Sequence, residues 1–332
     1  MALARTYSVA LIGVTGHVVE IEADIANGLP AMILVGLPDT ALREARDRIR
    51  AAIGNSGEEW PQRKITVGLS PASLPKRGSW FDLAIALGIL AAAGKVPRAA
   101  ASGVMFFGEL GLDGRLRPVH GVLPAVARAA EAGFGKVMVA ERNAEEAALV
   151  PGVRVIAADS LTQAADWLRG LPGRDGHPAA AEYRGGLEPP GRRPPAGPAS
   201  GGGAPAGPDA VAPDLADLLG QSMARRAAEV CAAGGHHLSL LGPPGAGKTM
   251  LAERIPTILP RLDRAAALEV TAIHSVAGTL PERVSLLTDP PFLAPHHTAT
   301  KAAIVGGGSG VIRPGSASLA HRGVLFLDES RN

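Results

Sequence analysis

Hydrophobic and polar residues alternate with two different periods along the first half of the chain, which predicts strands and helices in turn. The predicted strands are Val9–Val14, Val18–Ile25, Ala31–Gly36, Ile65–Leu69, Val104–Glu109, Lys136–Ala140 and Val153–Ala157. The predicted helices are Ala41–Asn55, Phe81–Ala93, Val122–Ala132, Asn143–Leu149 and Leu161–Leu168. This pattern favours a complete α/β or α+β domain over residues 1–170.

Local signals support several of these segments. The apolar residues of helix 41–55 follow one stripe, whereas helix 81–93 is apolar on nearly every side, so we expect the second helix to be buried. The pair Asp113-Gly114 between two leucines is a hairpin signal. A capping box at Ser160 predicts the start of the last helix.

Residues 171–210 interrupt the regular pattern. Nearly half of them are glycine or proline, and almost none are apolar enough to pack. Such a segment cannot bury enough surface to fold by itself, so we predict a flexible linker that spaces two domains or lets them move. A proline-rich recognition site is the alternative interpretation.

Regular patterns resume in residues 211–332. A helix is predicted over Ser222–Gly234, and the apolar run Leu238–Leu241 predicts a buried parallel strand. A helix over Met250–Ile258 follows, and an apolar strand over Gly323–Leu327 lies near the end of the sequence. We therefore expect a second α/β domain with a parallel sheet.

The segment between Leu241 and the next helix matches the phosphate-binding motif G-x-x-x-x-G-K-[ST] at every fixed position. Its residues are Gly242, Pro243, Pro244, Gly245, Ala246, Gly247, Lys248 and Thr249, with Met250 directly after them. Glycines let backbone N–H groups turn inward around a phosphate, and the start of a helix adds a favourable dipole. We expect these residues to bind ATP, with Lys248 reaching the β- and γ-phosphates and Thr249 binding Mg²⁺. A turn without a ligand is the alternative.

The strand that ends in Asp328 and Glu329 would supply the second half of an ATPase site. Placed beside the loop, it would let Asp328 hold Mg²⁺ through water and let Glu329 polarise the attacking water. Apolar residues followed by Asp-Glu are a weak signal alone, since ordinary strands also end this way. The phosphate-binding motif upstream favours the catalytic interpretation.

The composition limits the number of domains, the kinds of partner and the cellular location that we expect. The 332 residues, 46% of them hydrophobic, suffice for two domains with cores. The formal net charge of +2 does not by itself indicate a nucleic-acid or membrane partner. A single cysteine, Cys231, excludes an intramolecular disulfide and a cysteine-based metal site. Because no apolar run is long enough to span a bilayer, we expect a cytoplasmic protein without a membrane partner.

Longer stretches of both domains carry a family resemblance. In the second domain they are GQSMARRAAEVCAAGGHHLSLLGPPGAGKTMLAERIPTILP, LEVTAIHSVAG, PFLAPHHTATKAAIVGGGSG and RPGSASLAHRGVLFLDE. In the first domain they are VEIEADIANGLPAMILVGLPDTALREARDRIRAAIGNSG, SPASLPKRGSWFDLAIALGILAAAG and FFGELGLDGRLRPVHGVLPAV. The chain resembles the ComM/YifB family of AAA+ ATPases, which are similar to the ATPase subunit of magnesium chelatase and begin with a Lon-protease-like domain.

The resemblance implies a Lon-protease-like α+β domain followed by a P-loop AAA+ α/β domain, in a ring-forming ATPase that is usually hexameric. It also implies that Mg-ATP is used to move DNA, in branch migration during homologous recombination and natural transformation. The segment Ala294–Gly310 corresponds to an inserted hairpin, in which His296, His297 and Lys301 would contact DNA phosphates. Structural hydrogen bonding is the alternative role for the two histidines.

The Lon-like domain raises a protease hypothesis, which fails on the residues. Lon proteases use a serine and a lysine, with the serine inside a Gly-Pro-Ser-Ala-Gly turn. Aligning PKRGSWFDLAIAL on that turn puts Trp80 at the nucleophile position and Ser79 one residue early, while Pro124 and Ala125 occupy the region of the lysine. Because a serine needs a neighbouring base, we expect no peptidase activity and a role in assembly or substrate contact.

The chain also departs from the family pattern. Family members continue past the second motif with a sensor residue, an arginine finger and a helical lid, whereas this chain ends at Asn332, and Ser316-Ala317 replaces a more typical Glu-Ile. We therefore expect a truncated AAA+ core over 211–332 that binds ATP and hydrolyses it very slowly, since an arginine finger contributes about 10³ to 10⁵ in rate. The alternatives are a magnesium chelatase subunit and a non-hydrolysing fragment whose first domain binds a partner.

Overall fold

The computed structural model describes residues 2–36, 40–76, 78–173, 179–186, 214–281, 286–308 and 312–328. The chain divides into two compact units, residues 1–188 with 278–285 and residues 189–277 with 286–332. Across the described ranges, no helix combines the length and the apolar composition that crossing a membrane requires.

The first unit is a mixed α/β structure. Its strands are β1 Ala2–Ile12, β2 Thr15–Ala26, β3 Ala31–Val35, β4 Lys64–Ser70, β5 Met105–Phe107, β6 Glu109–Leu110, β7 Leu116–Arg117, β8 Lys136–Ala140, β9 Arg154–Ala158 and β10 Ala181–Arg184. Its helices are α1 Thr40–Asn55, α2 Asp82–Ala92, α3 Arg98–Ser102, α4 Val122–Glu131, α5 Ala144–Ala147 and α6 Leu161–Arg169. Eight strands form one sheet in the order β10-β9-β8-β5-β1-β2-β4-β3, and β6 pairs with β7 in a separate hairpin.

The long antiparallel pair of β1 and β2 forms the middle of this sheet. Its register runs from Ala2↔Ile25 to Ile12↔Thr15, and the turn contains Gly13, whose φ of +62° is a left-handed value that favours glycine. From Val19 onward, β2 alternates buried and half-buried positions with a period of two. The two predicted strands are therefore confirmed; they pair as a hairpin and are longer than the pattern indicated.

Helix α2 lies on this sheet and forms the centre of the core. Every residue of α2 is buried, as its continuous apolar sequence predicts, and the helix packs against β1 and β2. Two buried hydroxyls have partners here: Thr6 Oγ1 joins the sheet to α2 by donating to the Ala84 carbonyl at 2.8 Å, and Ser8 Oγ joins β1 to β5 by donating to the Phe106 carbonyl at 2.9 Å. The polar atoms that the core encloses here are thus satisfied.

Strand β10 corrects the predicted start of the linker. The prediction assigned residues 171–210 to a flexible segment, yet residues 181–184 pair antiparallel with β9 and extend the sheet by one strand. Trp167 Nε1 on α6 donates to Glu182 at 2.8 Å, and Arg154 forms an ion pair with Glu182 at 3.1 Å. Backbone pairing with an existing sheet edge orders this polar segment, which has no apolar pattern of its own.

The second unit contains mainly helices. They are α7 Ser222–Gly234, α8 Lys248–Ile258, α9 Arg264–Ala277, α10 Lys301–Val305 and α11 Ser316–Leu319. Its strands are β11 Phe292–Leu293, β12 Gly306–Gly307, β13 Arg313–Pro314 and β14 Val324–Leu325. Strand β11 pairs parallel with β14, and β12 pairs antiparallel with β13.

A small apolar core joins the start of the second unit to α7 and α8. Its buried members are Leu215, Leu218, Ala228 and Leu251. Half-buried apolar residues around it are Ala224, Leu238, Leu240, Ile255 and Ile258. This cluster fixes α8 against α7, and thereby fixes the loop that leads into α8.

The predicted strand Leu238–Leu241 is wrong for this structure. Its side chains alternate as in a strand, because Leu238 and Leu240 pack on the core while Ser239 and Leu241 are exposed. However, none of these four residues belongs to a sheet of the described chain. A strand requires a hydrogen-bonded neighbour, and among the described residues no strand pairs with residues 238–241.

Candidate nucleotide-binding site

The motif residues 242–247 form an exposed to half-exposed loop between the extended segment 238–241 and α8. Gly245 and Gly247 have φ values of +79° and +80°, in the left-handed region where a side chain is strained. Gly247 is the residue that caps the N-terminus of α8. The two glycines therefore supply the turns that bring the loop back onto the helix axis.

Lys248, the first residue of α8, spans the loop. Its Nζ donates to the carbonyl oxygens of Gly242 at 2.9 Å and of Pro243 at 3.1 Å. The amine thus lies over the first residues of the loop, while the backbone of the same residue starts the helix. An ammonium held by neutral carbonyls can exchange them for phosphate oxygens, which make stronger, charge-assisted hydrogen bonds.

The side chains after Lys248 change from exposed to buried along α8. Thr249 and Met250 are exposed on the first turn of α8, whereas Leu251 and Ala252 are buried. The first N–H groups of a helix have no partner within the helix, so the start of α8 offers donors to an anion. The burial of Leu251 anchors this donor end to the core.

Gln221 contacts the loop and was missed by the sequence analysis. It precedes α7, has φ +49° and ψ +43°, and its Nε2 donates to the Ala246 carbonyl at 2.6 Å. Ser, Thr, Asp and Asn are the usual residues at the start of a helix, so a glutamine there is out of pattern. That departure, directly after Gly220, is the signal that the sequence offers.

Asp328 lies three residues after the end of β14, and its side chain is exposed. The rings of Phe292 and Phe326 stack at 6.3 Å and support the pairing of β11 with β14. Since residues 238–241 form no strand, the structure does not bring the two motifs together as neighbouring strands of one sheet. The placement of Asp328 beside the loop stays a prediction, and Glu329 lies outside the described residues.

The segment predicted to contact DNA includes α10 and β12, and β12 pairs antiparallel with β13, which lies after the segment. The rings of His296 and His297 lie 4.0 Å apart, and His296 Nδ1 is 2.7 Å from the Thr298 hydroxyl. Thr300 caps α10, and Lys301 is exposed at its first position. Both the DNA-contact and the structural interpretation of the histidines fit this arrangement.

In the first unit, the residues near the aligned protease turn have structural partners. Lys76 is fully buried, and its Nζ donates to the carbonyl oxygens of Gly36, at 2.9 Å, and of Pro71. Burial lowers the pKa of Lys76. The Ser79 hydroxyl donates to Glu109, and Trp80 is buried. Carbonyl and carboxylate partners account for both polar side chains.

Comparison with known proteins places both parts of the chain in one group. A family model described as magnesium chelatase, subunit ChlI, matches residues 214–332, and one described as subunit ChlI of Mg-chelatase matches residues 21–143. The chain is 52% identical over 329 residues to an uncharacterized protein of Mycobacterium tuberculosis. The aligned residues make up 99% of this chain and 61% of the relative.

Two further relatives carry functional names. Competence protein ComM of Haemophilus influenzae is 40% identical over 331 residues, with 99% of this chain and 60% of the relative covered. Lon protease of Trichlorobacter lovleyi is 27% identical over 149 residues, which are 43% of this chain and 18% of the protease. The chain thus spans about three fifths of the length of its full-length relatives.

These similarities agree with the mixed α/β structure, and they confirm the expected fold class of a Lon-protease-like domain followed by an α/β AAA+ domain. The chain belongs to the ComM/YifB family of magnesium chelatase-like AAA+ proteins.

Proposed function

We propose that this chain binds Mg-ATP at Gly242–Met250. We further propose that the complete protein forms a homo-oligomeric, hexameric ring that uses ATP to move DNA. The observation that carries ATP binding is the loop itself. Its two left-handed glycines lead into α8, and the Lys248 amine lies on the carbonyls of Gly242 and Pro243.

The residues present fit a nucleotide phosphate. The start of α8 supplies N–H donors, Lys248 supplies a positive charge, and the surrounding loop is open to solvent. Thr249 and Asp328, both exposed, would hold Mg²⁺, and Glu329 would polarise water. When bound, Mg-ATP supplies the phosphoryl group and the cation that neutralises its charge. The protein's part is to position both.

Isothermal titration calorimetry of the full chain tests ATP binding. We expect Lys248→Ala to weaken Mg-ATP binding by at least about tenfold, because a charge-assisted contact is lost. Lys301→Ala, which removes one exposed lysine outside the loop, is the matched control and should retain the wild-type heat. Equal heats for the wild type and Lys248→Ala would contradict the proposal.

The DNA-binding proposal is based on a relative named for competence and on Lys301, which is exposed at the start of α10. Contacts to phosphates weaken as salt rises, because binding releases counterions. We expect fluorescence anisotropy with labelled duplex and branched DNA to show salt-dependent binding that Lys301→Ala weakens. Lys64→Ala, an exposed lysine of the first unit, is the control, and identical losses in both variants would argue against this surface.

A magnesium chelatase subunit is the second candidate, because the matching family models carry that description. In this case Mg-ATP would drive insertion of magnesium into a porphyrin. The similarity to Lon protease favours the first candidate, since it extends the likeness beyond the chelatase subunit. Porphyrin fluorescence after mixing the chain with purified partner chelatase subunits distinguishes the two candidates: only a chelatase subunit would support metal insertion.

A further inference from the structure

We propose that Gln221 is a positioning residue that holds the phosphate-binding loop in its nucleotide-binding form. This inference rests on the ATP binding proposed above. Gln221 Nε2 lies 2.6 Å from the carbonyl oxygen of Ala246, in the middle of the loop. A carbonyl oxygen can only accept a hydrogen bond, so chemistry requires the amide nitrogen, rather than the amide oxygen, to face Ala246.

The hydrogen bond fixes the orientation of one peptide unit. In a planar trans peptide, the C=O of one residue and the N–H of the next point in opposite directions. When Gln221 holds the Ala246 carbonyl, it therefore directs the Gly247 N–H away from itself. Gly247 is the last loop residue before α8, so this N–H joins the donors at the helix start that serve a phosphate.

The backbone around Gln221 is shaped for this contact. Gln221 has a left-handed backbone, with φ +49° and ψ +43°, which is uncommon for a residue with a side chain. Gly220 before it also has a positive φ, of +75°. Arg225 Nη1 donates to the Leu218 carbonyl at 3.2 Å and closes the turn from the other side. A strained residue is retained here where its side chain reaches the loop.

The fit on the loop side is close. A Cβ added at Gly247 would lie 3.2 Å from Gln221 Nε2, so the glutamine occupies the space beside this glycine. Both partners are attached to the same core, because Leu218 before the turn and Leu251 in α8 belong to one buried cluster. The distance between the glutamine and the loop is thus set by packing and does not depend on the nucleotide.

Two variants distinguish the effect of the Gln221 side chain on nucleotide binding from the effect of its backbone conformation. Gln221→Glu keeps the size of the side chain and replaces the donor by an acceptor that repels the Ala246 carbonyl. Gln221→Gly removes the side chain and accepts the left-handed backbone without strain. Ser222→Ala, at the neighbouring exposed position, is the control that leaves the contact intact.

Binding of Mg-ATP and Mg-ADP to the full chain is measured by calorimetry, together with the thermal midpoint of the free protein. We expect both Gln221 variants to bind about three- to tenfold more weakly, as for loss of one hydrogen bond. Gln221→Gly should keep or raise the thermal midpoint, because it relieves strain. If Gln221 had a merely structural role, the nucleotide affinity of each variant would fall only when its thermal midpoint falls.

The outcomes are distinct. If the wild type binds no Mg-ATP, the proposed function fails. If the wild type binds and both Gln221 variants bind equally well, this inference is overturned while the proposed function stands. If Gln221→Glu lowers the thermal midpoint, the test depends on Gln221→Gly, whose backbone is unstrained. Weaker Mg-ATP binding by Gln221→Gly then supports the inference, and unchanged Mg-ATP binding overturns it.

Discussion

The guanidinium of Arg48 lies 2.6 Å from the carboxylate of Asp82, which is fully buried at the start of α2. A second N–H of Arg48 contacts the carboxylate at 3.1 Å, and the Leu110 N–H donates to it at 3.3 Å. Burial nevertheless raises the pKa of Asp82 from 3.8 to about 6, because desolvation outweighs these donors. The hydrogen bond raises the pKa of Arg48, so Asp82 is the partner that titrates.

This pair makes the stability of the first unit depend on pH. Because the pKa of Asp82 is higher in the folded state, the folded state binds more protons between about pH 4 and pH 6. The stabilisation is complete below this window and is lost as pH rises through 6. We expect the stability of the wild type relative to Asp82→Asn to fall by about 2 to 3 kcal/mol between these limits.

Urea unfolding at several pH values measures this difference. The three tryptophans, Trp60, Trp80 and Trp167, all lie in the first unit, so their fluorescence reports on that unit within the full chain. The Asn variant retains the shape of the side chain and cannot titrate. A difference that stays constant from about pH 4 to pH 7 would show that Asp82 does not titrate in this range.

Arg169 joins three segments of the first unit. Its guanidinium contacts Glu58 at 2.6 Å, Asp166 at 3.1 Å and the Lys95 carbonyl at 2.8 Å. We expect Arg169→Ala to lower the free energy of unfolding by about 1 to 3 kcal/mol. Arg169→Lys should restore little of it, because one ammonium cannot replace the planar set of donors. Tryptophan fluorescence in urea gives the comparison.

The control for this prediction is Arg46→Ala. Arg46 pairs with Asp47 on the surface, with side chains 55% and 78% exposed, so its loss should cost less than about 0.5 kcal/mol. Equal effects at the two positions would mean that the network around Arg169 adds nothing beyond an ordinary surface pair.

Leu251 attaches the phosphate-binding helix to the core. It is 1% exposed, and Leu251→Ala would leave a cavity in the small cluster of the second unit. We expect a loss of about 2 to 5 kcal/mol and faster hydrogen exchange across residues 215–258. Met250→Ala, at the preceding position with 48% exposure, should change exchange little. Similar exchange in both variants would contradict the assigned core.

Local sequence patterns were sufficient for elements whose partners are close in the sequence or whose composition is extreme. The hairpin of β1 and β2 follows from alternation around a tight turn, and the burial of α2 follows from its apolar sequence. Helix α8 follows from the pattern after the glycine loop, although it begins at Lys248, two residues before the predicted start. In each case the signal that predicts the element is contained in the element.

Elements that depend on distant partners were not predictable in this way. Residues 181–184 become a strand because β9 presents a free edge, whereas residues 238–241 pair with no strand of the described chain despite their alternating burial. The contact of Gln221 with Ala246 joins residues 25 positions apart through one side-chain atom. Such pairings depend on tertiary packing, which the local pattern does not encode.

Hydrogen exchange of the phosphate-binding loop, measured by mass spectrometry on the full chain with and without Mg-ATP, tests the central claim most directly. ATP binding at this loop predicts slower exchange in peptides covering 242–251 in the wild type, and a smaller slowing in Lys248→Ala at the same Mg-ATP concentration. Peptides of the first unit should exchange at the same rate in both conditions. Unchanged exchange at 242–251 under saturating Mg-ATP would contradict the assignment of the nucleotide site.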